Sequence, residues 1–151
     1  MERGVEVVVV PFQTPILVGV YRDRQLERGV QLEGKVSETL PPFFEELLRR
    51  EQLEGLYYSR GPGSFMGVRL TFLFLKTLSI IYQIPFRGVD SFYFTGGKPI
   101  KGPGASFFVK KEGIIVVSRE VDEVGTPSLP PVLNPADFEE EVEPLYLVKA
   151  V

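Results

Sequence analysis

Residues Gly61-Pro62-Gly63-Ser64-Phe65-Met66-Gly67-Val68-Arg69 hold the spacing in this chain most suggestive of chemistry. They lie between an apolar run, Leu56-Tyr57-Tyr58, and a long apolar stretch with helical character. A glycine-rich turn from strand to helix can cradle an anion, because the first helical amides lack internal partners and carry the positive end of the dipole. The spacing G-x-G-x-x-x-G is not the dinucleotide fingerprint, and no Gly-Lys-Ser/Thr follows as in a nucleotide-triphosphate loop. Pro62 also removes one amide from any such cradle. The alternative is purely structural. Gly61 and Gly63 take positive φ, Pro62 fixes the φ between them, Ser64 caps the helix, and Gly67 completes the turn that sets how the helix enters.

Other chemistry is limited by inventory. The chain has no His and no Cys. Thiol nucleophiles, Ser-His-Asp triads, histidine general bases and the usual zinc sites are excluded. The acidic run Glu139-Glu140-Glu141 reads as a solvated helix face rather than an acid–base pair. Net charge is −3, which argues against a surface that holds nucleic acid by its own basic patch. Residues 1–4 show no signal-peptide pattern, and the apolar run of 65–84 carries Arg69 and Lys76. It is expected to be a buried helix rather than a membrane span, in a cytoplasmic protein with no membrane partner and no cofactor.

The elements that position the turn can be read from the pattern. A β-branched run at 5–10 predicts a buried strand. Strands at 16–21 and 25–32 follow across short turns, as an antiparallel meander. The first helix is expected to be capped by Ser37 or Thr39, with Pro41 and Pro42 in its first turn. Leu40, Phe43, Phe44, Leu47 and Leu48 fall on one face, and Glu45–Arg49 and Glu46–Arg50 pair outside. A strand at 54–59 leads into the glycine turn, a second helix spans 65 to about 83, and a short strand covers 86–89. This order resembles the ribonuclease-H-like lobe of actin, sugar kinases and heat-shock ATPases, an α/β fold. After Gly96-Gly97 the expectation is a glycine–proline loop at 98–104 and a hairpin around Glu112-Gly113. A proline-rich loop at 126–131, a short helix from Asn134-Pro135 to 142 and a final strand at 145–148 follow. Residues 1–96 are thus expected as one lobe and 97–151 as a reduced second lobe.

The second helix is apolar almost all round. Arg69, Lys76, Ser79 and Gln83 form a narrow polar stripe; Met66, Val68, Leu70, Phe72, Leu73, Phe74, Leu75, Leu78, Ile80 and Ile81 fill the rest. An ordinary surface helix buries a stripe of about 100°. Either other parts of the chain cover the remainder, or another protein does.

The stretch from Tyr57 to Ile80 resembles the signature of the TsaB (YeaZ) family, which reads GRGPGSFTGLRIG, with Met66 for Thr and Val68 for Leu. Thr14, Pro15 and Leu17 match the family's opening hairpin. Ser37-Glu38 and Leu40, then Ile84-Pro85, Gly88-Val89 and Ser91, match in order, and Pro144 with Tyr146-Leu147 resembles its closing motif. The resemblance implies a non-catalytic scaffold in the complex that makes threonylcarbamoyladenosine in tRNA. Its partners would be a TsaD-like catalytic subunit and a TsaE-like ATPase, with tRNA met only through the complex, and a homodimer as an option. The implied interface lies on the first two helices: Leu40, Phe43, Phe44 and Leu47, then Phe65, Arg69, Phe72, Phe74 and Lys76. In ATP-using relatives the first hairpin carries an Asp for metal and phosphate; here that position is Pro11, followed by Phe12 and Gln13. The rival expectations are a YeaZ-type peptidase or residual nucleotide hydrolase, and a homodimeric structural protein.

Overall fold

The computed structural model describes residues 4–145. Its main sheet has the order β3-β2-β1-β4-β5. Strands β1 (Val5–Val10), β2 (Ile16–Arg22) and β3 (Gln25–Leu32) form the expected antiparallel meander. Strands β4 (Leu53–Ser59) and β5 (Phe86–Val89) add in parallel beyond β1, through helices α1 (Val36–Arg50) and α2 (Phe65–Tyr82). Val7, Val8 and Val9 of the central strand are fully buried, so both faces of the sheet are covered. That explains a continuous β-branched run rather than an alternating one.

One face carries the helices. Phe72 of α2 meets Phe86 of β5, which meets Tyr58 of β4, and Phe44 of α1 meets Phe74 of α2 at 5.5 Å between ring centres. The other face is covered by the returning chain. Leu129 lies over Gly19 and Gly29, and Phe138 packs on Tyr57, Tyr93 and Phe94. Backbone bonds pin this arm to the first hairpin: Leu26 N–H donates to Pro131 O and Leu133 N–H to Arg24 O. Residues 129–138 therefore contribute to the core formed by the first 96.

Several sequence expectations are corrected. Helix α1 starts at Val36, before both expected caps Ser37 and Thr39, and its N-cap is Lys35 without a side-chain cap bond. Thr39 instead donates from Oγ1 to Lys35 O at 2.9 Å, and Ser37 lies inside the helix. Pro41 and Pro42 sit within it and deprive the Ser37 and Glu38 carbonyls of donors. Those residues are exposed, so water can serve the carbonyls, while burial of Val36 and Leu40 extends the packed face backwards.

The 98–104 loop contains a short strand, β6 (Ile100–Lys101), which joins β7 (Phe107–Lys111) and β8 (Ile114–Ser118) in a second sheet. The expected hairpin is present, with Glu112 and Gly113 both at positive φ. A 3-10 turn at Ser91–Phe94, unforeseen in the sequence, buries Phe92 and Phe94. The helix expected from Asn134 shrinks to a 3-10 turn at Pro135–Asp137, with Asn134 as its cap. Beyond it Glu139 exchanges both backbone bonds with Gly88, closing the β5 edge. A helix there would have left that edge unpaired. Except for Leu145, the strand expected at 145–148 lies outside the described residues, as do Tyr146 and Leu147.

Three tyrosines fix the arm to the sheet. Tyr21 donates to Pro130 O, Tyr93 to Asp137, and the buried Tyr58 hydroxyl to Val142 O. Burial, then the bond to Asp137, pushes the Tyr93 phenol up to about 12. Burial raises Tyr21 as well, and burial with a bond to Glu6 raises Tyr57. Folding thus favours the neutral phenols. Their contribution is complete below pH ~10, where unfolded tyrosine titrates, and is lost as pH climbs through the folded values. Urea titrations across pH 8–12 should show stability falling above pH ~10, less steeply in Tyr93→Phe. An unchanged slope in that variant would mean Tyr93 titrates as a free side chain.

Candidate functional site

The glycine turn forms where β4 ends. Arg60 N–H donates to Val89 O, and Gly61 O accepts from Ser91 N–H at 2.8 Å, so the turn is tied to the end of β5. Gly61 has φ 109° and Gly63 φ 145°, as the glycine pattern predicts. Ser64 caps α2, with Oγ accepting from Gly67 N–H at 3.2 Å.

What the sequence did not reveal is the neighbour. The loop after β1 lies directly against the turn. Ser64 N–H donates to Phe12 O at 2.8 Å. A β-carbon on Gly63 would stand 2.4 Å from Phe12 Cβ and 2.6 Å from its carbonyl oxygen. One on Gly67 would stand 2.8 Å from Pro11 O. Phe12 itself is buried in the core. Carbonyl oxygens of the protein's own backbone thus face the start of α2. Of the amides there, Ser64 N–H is taken by Phe12 O, Gly67 N–H by Ser64 Oγ and Val68 N–H by Ser64 O. Among the described residues, no group of three or more Asp, Glu, His or Cys side chains is placed to hold a metal ion. Thr71 Oγ1, on the sheet side of α2, is buried without a hydrogen-bond partner.

The turn therefore fixes the direction of α2, and α2 has two unlike faces. Val68, Thr71, Leu75, Leu78 and Ser79 are buried. The opposite side is open: Phe65 is 53% exposed, Met66 56%, Leu73 46%, Ile80 66% and Ile81 64%. Arg69 and Lys76 are exposed on the same side. The helix expected to be buried is so on one face only. By length and composition α2 could cross a membrane, yet one face is packed on a polar-rimmed sheet as a layer of the lobe.

The nine interface candidates are placed as follows. Leu40, Phe43, Phe44 and Leu47 are buried within the chain, and Phe44 packs on Phe74 of α2. They help to hold the lobe together. Phe72 and Phe74 are half-buried against Phe86 and Phe44. Phe65, Arg69 and Lys76 are on the open face. Leu73 and Ile80 share that face and were not singled out from sequence. The signal was available: positions 65, 69, 73, 76 and 80 lie on one side of a helix, and the two cations mark its outward direction. A cleft at the other end of the helices is lined by Leu48, Glu51, Glu54, Tyr82 and Ile84. There Glu51 is already held by Arg22 at 2.8 Å.

Comparison with known proteins bears on the fold. Residues 33–96 match the family model of TsaD, tRNA N6-adenosine threonylcarbamoyltransferase. The chain superposes on YeaZ from Pseudomonas aeruginosa with a TM-score of 0.56 at 14% identity, covering 85% of this chain and 68% of that one. A second structure, an uncharacterized protein with similarity to peptidase YeaZ from Pseudomonas aeruginosa, gives 0.55 at 14% identity, covering 77% and 64%. The chain thus spans about two thirds of these structures, and the likeness is one of fold. A search of curated proteins finds no match.

Two outcomes follow. Gly63→Val should lower the melting temperature, because positive φ costs a side chain about 1–3 kcal/mol before the collision with Phe12 is counted. A Gly63→Val protein that melts like wild type would show that the Phe12 contact is not tight. Calorimetry with magnesium and ATP should show no binding to the isolated chain; micromolar, magnesium-dependent affinity would refute the self-filled turn.

Proposed function

We propose that this chain, a YeaZ-like protein in fold, is a non-catalytic TsaB-like scaffold subunit in tRNA threonylcarbamoyladenosine synthesis. Its partner is a TsaD-like catalytic subunit, which docks on the open face of α2. A TsaE-like ATPase joins that assembly, tRNA is reached only through it, and the setting is the cytoplasm. The observation that carries the reading is the apolar stripe Phe65, Leu73, Ile80 and Ile81, exposed on a helix whose other face is buried. Contiguous exposed apolar surface of this kind marks an interaction site. α1 supports the stripe from behind through Phe44 and Phe74 rather than joining the contact.

The peptidase reading has less support. Ser59 and Ser91 face each other, but both are buried, and the chain has no histidine to activate them.

Leu73→Asp tests the interface without touching the core. It should leave the circular dichroism spectrum unchanged. Affinity for the TsaD-like subunit of the same organism should fall about 100-fold or more, roughly 3 kcal/mol, because a charge would be desolvated at the centre of the contact. Leu40→Ala should lower stability by about 2–5 kcal/mol instead. Full binding by folded Leu73→Asp would remove α2 as the docking surface.

A further inference from the structure

We draw no further inference here: the strongest candidate, the edge strand β8 of the second sheet with Ile114, Val116 and Val117 exposed, carries none, because nothing in the structure shows what covers it.

Discussion

The approach of Gly63 to Phe12 is the constraint on which the rest of the lobe depends. At that contact the end of the first strand and the start of the second helix touch through backbone. Only a residue without a β-carbon fits, and Ser64 N–H reaches the Phe12 carbonyl because of it. The helix is thereby placed over β4 and β5 at a fixed angle. Its start is filled from within the chain. Pro11 and Phe12 place carbonyl oxygens and a buried ring against it.

Coverage of the sheet decides which surface is left. α1 and α2 cover one face, and the arm at 129–138 covers the other through Leu129, Leu133 and Phe138. Glu139 then closes the β5 edge, and the β3 edge is blunted by Glu27 and Arg28 among exposed positions. Apolar surface in the main lobe is consequently concentrated on the outside of α2. The second sheet exposes Ile114 and Val117 on its edge strand β8, and nothing in the fold indicates what would cover them.

The two helices divide the work between them. α1 is strongly two-sided, with its aromatic face spent on the sheet and on Phe74. Two prolines lie within it, and the residues whose carbonyls they orphan, Ser37 and Glu38, are exposed. α2 is apolar on both sides, and only tertiary packing distinguishes a core side from a free side. Arg69 and Lys76, isolated on the free side, give that surface a sign as well as a hydrophobic character.

The sequence by itself determined the meander, the two helices, both parallel additions and the glycine turn, because these rest on local pattern. β-branched runs, capping by Ser64 and positive φ at Gly61 and Gly63 need no knowledge of distant residues. It also settled what chemistry is absent, since no fold can supply a histidine or a thiol. Tertiary structure alone decided which apolar residues are core. Leu40, Phe43, Phe44 and Leu47 form as good a stripe as Phe65, Leu73 and Ile80, but the sheet has room for one face of each helix. It decided that Pro41 lies within α1, because burial of Val36 outweighed two lost backbone bonds. It also turned residues beyond Asp137 from a helix into an edge strand's partner, because Gly88 offered a backbone donor and acceptor that no local pattern in the chain could announce.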